Sequence, residues 1–346
     1  MGMRDKQTSR VKAVVFFAAP LCNQMAASVM SGLKKLGVAT YSNQKWCCAS
    51  SESVRDDCST PTVWNWCKFL PDQDLLEMAG RPGVLSIGTV RYESANYWEH
   101  DGDATEICNA AEVQLEAITR GLIDLYIDDG DYGHVYKQLD SVQLYVKREP
   151  TRRRTVRTMT LGLCPWLPTV APAVQRDLFL SVCFPYEFRK KWDRLNTMKV
   201  LSRAIKHIPD IWIGPVEEAL RDARYVATGN RQGEAYLNIL RRSCASLSLP
   251  GQGWDTYRFW EILSCGSCLL SPRAVVRELP ISPPPRDGCE YFGFDNDEEL
   301  LELIFSHYDH RERLRYIATA GQNWAIRYHS DVNRAKQILD LVSSRL

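Results

Sequence analysis

Apolar positions in the first half of the chain alternate between short strand-like runs and stretches with helical spacing. Ala13-Val-Val-Phe-Phe17 is a compact run dominated by β-type residues. Met25, Val29, Leu33 and Leu36 then recur at the interval of one helix face, which predicts a helix over 23–36. Gly37 ends it, and Val38-Ala-Thr-Tyr41 resumes as strand. Val84 to Ile87 reads as a buried strand, 107–118 as a helix with Ala111, Leu115 and Ile118 on one face, and 122–127 and 142–146 as further strands. Strands separated by helices of this length predict a parallel sheet covered on both faces. The segment 42–82, rich in Cys, Ser and Asp, carries no clear period.

The pattern breaks between Lys147 and Pro172. A basic run, Lys147-Arg-Glu-Pro-Thr-Arg152-Arg153-Arg154 with Arg157, gives way to Pro165, Pro168 and Pro172. Proline removes a backbone donor and fixes φ, so an extended connection is expected, with a domain boundary inside it. This divides the chain into an N-terminal domain, 1–172, and a C-terminal domain, 173–346. The second half restarts with a strand at 178–184, a basic helix start at Arg189-Lys190-Lys191, a strand at 211–213, a helix opening at Glu217 and Glu218, a helix at 234–242, a strand at 245–249 and a last helix over 331–346.

Composition changes little in this picture. The 346 residues exceed what one hydrophobic core usually serves, so two domains are expected. A net charge of +1 gives no overall field toward nucleic acid or membrane. No apolar run approaches the ~20 residues of a membrane span, and the polar, basic start does not resemble a signal peptide. The twelve cysteines, scattered in a chain without secretory features, read as reduced thiols of a cytoplasmic protein. Cys47, Cys48, Cys58 and Cys67 lack the paired spacing of a zinc site, and Cys265 and Cys268 flank a helix-ending glycine, which favours packing over redox chemistry.

The candidate chemistry lies in Ser246 to Leu270, a strand–loop–helix–strand unit. Gly251 and Gly253 permit tight loop geometry and close ligand approach. Asp255 or Thr256 can cap the helix and Gly266 can end it. A glycine loop feeding a helix N-terminus suits an anion, because unsatisfied N–H groups and the helix dipole both favour phosphate. Arg258 and Glu261 share a helix face; they fit a diphosphate and ribose hydroxyls, or equally an intrahelical ion pair. Asp128, Asp129 and Asp131 follow a strand and can face a cleft at the sheet's carboxyl edge, or simply form an acidic turn.

The unit Gly251-Gln-Gly-Trp-Asp-Thr-Tyr-Arg-Phe-Trp-Glu261, followed by Ser264-Cys-Gly266 and an apolar strand, resembles the donor-binding region of GT-B glycosyltransferases, in particular the bacterial and phage group similar to spore-maturation glycosyltransferases. Tyr126-Ile-Asp-Asp-Gly-Asp131, Leu144 to Glu149, Tyr291 to Leu301 and 310–339 extend the resemblance from about residue 120 to the C-terminus. Before that only the strand–helix rhythm matches. The resemblance implies an α/β fold of two Rossmann-like domains facing across a cleft, with the C-terminal helix crossing back. It implies a hexosyl- or pentosyltransferase moving sugar from a nucleotide-sugar, UDP among the donors, to an acceptor hydroxyl on a glycan, protein or small molecule. Donor-binding residues would be Arg189, Gly251, Gly253, Asp255, Thr256, Arg258 and Glu261. The general base would be Asp131 or Asp129, with His134 in reserve, and no metal or other cofactor would be needed. His329 and the last helix would be structural.

Retaining enzymes of this fold often carry a second glutamate seven residues before the ribose-binding one, where this chain has Trp254. Some phage relatives glycosylate modified DNA bases, and Arg152, Arg153 and Arg154 could grip acceptor phosphates. A DNA glycosyltransferase working in an infected host cell is therefore one alternative. A nucleotide-sugar epimerase, a glycan phosphorylase or a non-catalytic nucleotide-binding subunit are others.

Overall fold

A computed structural model describes residues 11–18, 24–44, 47–48, 65–90, 112–130, 142–149, 156–163, 176–183, 191–205, 208, 210–214, 234–251 and 253–344. These residues cluster into two compact units: one gathers those within 11–163 together with 330–344, the other those within 176–329. The segment 330–344 thus joins the first unit, although the chain pattern places it in a domain running from 173 to the end.

The first unit is built on a seven-stranded parallel sheet of order β3-β2-β1-β4-β5-β6-β7. Its strands are β1 (Ala13–Phe17), β2 (Ala39–Ser42), β3 (Lys68–Phe69), β4 (Val84–Val90), β5 (Leu125–Asp128), β6 (Leu144–Lys147) and β7 (Val156–Thr158). Helices α1 (Gln24–Lys35), α2 (Asp72–Ala79) and α3 (Glu112–Thr119) connect them. The order reverses between β1 and β4, as in doubly wound sheets. α1 ends as its glycine predicts: Gly37 adopts φ 76°, and the Gly37 and Val38 amides close back onto Lys34 and Leu33. Two differences from the sequence reading arise from short elements. α2, capped by Pro71, shows only Leu75, Leu76 and Ala79 to the core, too few positions to announce a period. β7, inside the expected linker, pairs with β6 through Tyr145↔Val156 and Val146↔Arg157.

The last helix, α10 (Asp331–Ser343), packs on α1. Ser330 caps it by accepting from the Asn333 amide. The approach is close: a Cβ placed on Gly32 would stand 2.1 Å from the Asp331 carbonyl oxygen. The Asp331 carboxylate takes bonds from Ser31 Oγ at 2.6 Å and Lys35 Nζ at 2.5 Å, while buried Arg334 donates to Thr160 Oγ1 at 2.6 Å. The expected crossing-back helix is therefore a member of the first unit's core.

The second unit carries a five-stranded parallel sheet, β12-β11-β10-β8-β9. The strands are β8 (Leu178–Cys183), β9 (Ile211–Gly214), β10 (Ser243–Leu247), β11 (Cys268–Pro272) and β12 (Phe292–Phe294). α4 (Arg194–Ala204), α5 (Glu234–Arg242), α6 (Tyr257–Ser264), α7 (Arg273–Glu278), α8 (Asp297–Tyr308) and α9 (Arg311–His329) accompany them. The expected basic helix start shifts: Lys191 lies in a turn, and Asp193 caps α4 by accepting from the Asn196 amide. β10 begins two residues before its expected start, at Ser243. Strand order reverses between β8 and β10, the kind of position beyond whose carboxyl ends doubly wound sheets bind their ligands. The glycine loop follows β10 and lies at that point.

Candidate functional site

Residues 248–256 run from β10 to α6, and their entry is fixed from α4. Arg194, buried at the first position of α4, donates through its guanidinium to the Pro250 carbonyl and the Leu249 carbonyl, each at 2.9 Å. The loop turns with the Gly251 amide donating to the Gly253 carbonyl at 3.0 Å. Gly251 avoids positive φ, and a Cβ there would meet nothing nearer than 3.5 Å. Neither the backbone conformation nor the protein's own packing excludes a side chain at that position.

α6 begins at Tyr257 with Thr256 in the extended cap position, yet no cap side chain bonds its first turn. The Thr256 hydroxyl lies 3.2 Å from Ser248 Oγ. Asp255 is turned inward: 2% exposed, it accepts from the Trp260 indole at 2.8 Å. The structure therefore gives Asp255 an internal partner in place of the expected capping role. Gly266, at φ 67°, ends the helix with the Gly266 and Ser267 amides closing onto Leu263 and Ile262. Cys265 and Cys268 are buried free thiols beside this turn. His329 is buried with its ring 5.2 Å from Trp260 and 4.5 Å from Trp324, a packed core position.

Glu261 is only 3% exposed, and its Oε2 accepts from the Tyr236 hydroxyl at 3.0 Å. Burial pushes the Tyr236 hydroxyl well above its ordinary range; the Glu261 charge adds to this and Arg258 opposes it. Tyr236 thus stays protonated and donates. Arg258, half-buried, is close enough to act on the same phenol. At the loop's other flank Lys191 Nζ sits 5.0 Å from the centre of the Trp254 ring, a cation–π contact.

The acidic candidates of the first unit have different surroundings. Asp128 is wholly buried at the carboxyl end of β5, paired across the ladder with Lys147 of β6. Lys147 Nζ lies 2.8 Å from its Oδ2, and the Tyr145 hydroxyl and Gly130 amide also donate to it. Burial alone would raise the Asp128 pKa, but Lys147 and these bonds outweigh it and hold the carboxyl below its usual range. Asp129 accepts from the Gln24 amide at 3.0 Å, at the positive end of α1, and pairs with buried Arg148 at 3.3 Å. Asp129 is thereby occupied in joining β5 to α1.

Asp131, His134, Arg152, Arg153, Arg154 and Arg189 lie outside the described residues. The structure brings Gly251, Gly253, Thr256, Arg258 and Glu261 together around one loop and helix. It adds Arg194, Lys191 and Tyr236, which sequence reasoning missed. Lys191 was signalled by the basic triplet at 189–191; nothing local marked Arg194 or Tyr236, whose partners are 55 and 25 residues away. Among the described residues no group of three or more His, Cys, Asp or Glu side chains forms a metal cluster.

Residues 194–340 match the family described as Glycosyl transferase-like. Comparison by sequence with curated proteins gives no match. Among solved structures, an alpha-glucosyltransferase in complex with UDP and a 13-mer DNA containing a central A:G mismatch is similar at a TM-score of 0.60 and 9% identity, over 96% of this chain and 99% of its own. An alpha-glucosyltransferase in complex with UDP gives 0.59 at 9% identity over the same shares. Sucrose-phosphate synthase from Thermosynechococcus elongatus gives 0.52 at 11%, also over 96% and 99%. Identities this low speak to fold alone: the chain has the GT-B fold, and residues 194–340 are similar to the glycosyl transferase-like family.

Proposed function

We propose that this chain is a glycosyltransferase that takes a sugar from a UDP-sugar and passes it to an acceptor hydroxyl. The observation that carries this reading is the glycine loop at the β8/β10 switch point, running into α6 with buried Glu261 in its second turn. The start of α6 and Arg258 would receive the diphosphate, with Lys191 and Arg189 as further cations. Glu261 would accept from ribose hydroxyls. The helix start and the cations would stabilise the charge that develops on the departing diphosphate as the anomeric bond breaks, a role that would otherwise fall to a divalent ion. Two solved alpha-glucosyltransferase structures of similar fold are described with UDP bound, which favours uridine. Asp131 or His134 would take the acceptor proton, since Asp129 is held by Gln24 and Arg148.

Thermal shift with UDP, GDP, dTDP, ADP and CMP, with and without EDTA, tests the donor site. UDP at 100 times its Kd should add about 2.7 kcal/mol, and Glu261→Ala should abolish that gain. No stabilisation by any nucleotide would overturn the reading. Among the described residues no helix is long and apolar enough to cross a membrane, and we place the reaction in the cytoplasm.

DNA is the second acceptor reading. It is favoured by the DNA in one complex of similar fold and by the arginine run ending at Arg157, which is exposed on β7. Transfer to a hydroxylated base in DNA should fall steeply with salt, whereas transfer to a neutral glycan should not. Release of an epimerised nucleotide-sugar without acceptor would instead identify an epimerase.

A further inference from the structure

We infer that Tyr236 is a positioning residue that presents the Glu261 carboxylate to a vicinal ribose diol, so that the site selects ribonucleoside over deoxyribonucleoside diphosphates. This rests on the donor reading above. In a parallel α/β unit the helices run back against the strands, so each starts near the carboxyl edge of the sheet. Tyr236 lies in the first turn of α5 and Glu261 in the second turn of α6, and both therefore stand at the edge where the glycine loop emerges. The ring of Tyr236 is tied into this edge: Glu261, Arg258 and Cys183, the last residue of β8, all lie close enough to act on its hydroxyl.

The chemistry of the pair is directional. An ionised carboxylate only accepts, at about four lone-pair sites. The phenol donates into one of them, on Oε2 at 3.0 Å. That bond fixes the rotation of the carboxylate plane, because a side chain ending in an sp² group otherwise turns broadly about its last torsion. A fixed plane offers its remaining acceptor sites in one orientation. Two adjacent hydroxyls of a ribose can satisfy such a plane together; a sugar lacking either hydroxyl leaves part of a buried acceptor unmet. Discrimination against a ligand missing one hydroxyl is large where the site is built to bond it. Tyr236 touches neither ribose nor the reacting atoms in this arrangement, and its effect passes through Glu261.

Calorimetric titration of UDP, 2′-deoxy-UDP and 3′-deoxy-UDP into wild type, Tyr236→Phe and Glu261→Gln tests the inference. Wild type should prefer UDP over both deoxy ligands. Tyr236→Phe keeps the ring and removes the donor. It should weaken UDP about 3–10-fold, leave the deoxy ligands nearly unchanged, and so shrink the ribo-to-deoxy ratio toward that of Glu261→Gln. Equal weakening of all three ligands, or an unchanged ratio, would show that Tyr236 only supports the fold, and would overturn the inference while the donor site stands. Wild type that fails to bind UDP, or Glu261→Gln that binds it normally, would overturn the donor reading and this inference with it. If Tyr236→Phe does not fold, Glu261→Asp serves: it withdraws the carboxylate from the phenol and should lose the same selectivity.

Discussion

Arg194 gives the sharpest test of how the loop is held. Its guanidinium, 4% exposed, donates to the Leu249 and Pro250 carbonyls at 2.9 Å each. Arg194→Met keeps the apolar stem and removes both donors. A hydrogen bond to a charged group contributes about 1.5–3 kcal/mol, so two would cost about 3–6 kcal/mol. Release of the buried guanidinium's desolvation offsets part of that, leaving a net loss of about 2–4 kcal/mol. At about 2–4 °C per kcal/mol for a unit of this size, the melting temperature should fall by roughly 4–16 °C. Arg194→Lys should recover less than half, because an ammonium is a point charge without the fork that reaches two carbonyls. UDP titration of the same variants should show affinity reduced about tenfold, since a loosened loop must be ordered on binding. Should Arg194→Met melt and bind UDP like wild type, the loop would owe its shape to other contacts.

Three further perturbations probe the scaffold. Gly32→Ala places a methyl 2.1 Å from the Asp331 carbonyl, so α1 and α10 must separate; a loss of at least about 1–3 kcal/mol and faster proteolysis of the C-terminal segment are expected, and wild-type melting would refute the close docking. Lys147→Met strands a buried Asp128 charge and should cost about 3–5 kcal/mol at neutral pH, read by urea denaturation. In wild type the folded Asp128 pKa is depressed, so its contribution is complete above the unfolded value of about 3.9 and is lost as pH falls through the folded value; without Lys147 only the Tyr145 and Gly130 hydrogen bonds oppose burial, and the loss should begin at higher pH. Arg273 bridges Asp287, Asp295 and Glu299, but about 40% of its side chain is exposed; solvent screening limits Arg273→Ala to about 1 kcal/mol or less, and a loss above about 2 kcal/mol would show the network to be stronger than its exposure implies.

Long periodic elements were legible because their burial repeats over several turns. α1, α5 and α10 fall within two or three residues of their expected spans, and the glycines at 37 and 266 end helices for the expected conformational reason. β7 was not legible: three residues beside a basic run carry no period, and only pairing with β6 makes them a strand. The same limit applies to the site. The loop, Arg258 and Glu261 form one continuous segment, so the chain order displays them. Arg194 reaches the loop, and Tyr236 reaches Glu261, only because tertiary packing brings α4 and α5 beside them, which no local pattern encodes. Of the two residues that looked able to cap α6, Thr256 holds the cap position without a side-chain bond, while Asp255 accepts from the Trp260 indole five residues on.

The two sheets use their carboxyl edges differently, and this bears on where catalysis can be sought. At the ends of β5 and β6, Asp128, Asp129, Lys147 and Arg148 are all buried and matched to one another, to Tyr145 or to the start of α1. Exchanging a proton at Asp128 or Asp129 would break a buried pair, at a cost of several kcal/mol. A general base needs a carboxylate or imidazole able to change charge during turnover without unmaking the fold. The buried pair at 128–129 is poorly suited to that role and well suited to setting the direction in which the chain leaves β5. Asp129→Asn should therefore act mainly on stability, and Asp131→Asn mainly on kcat with the melting temperature preserved. The reverse result, a stable and inactive Asp129→Asn, would return Asp129 to the chemistry and make its contact with α1 part of the mechanism.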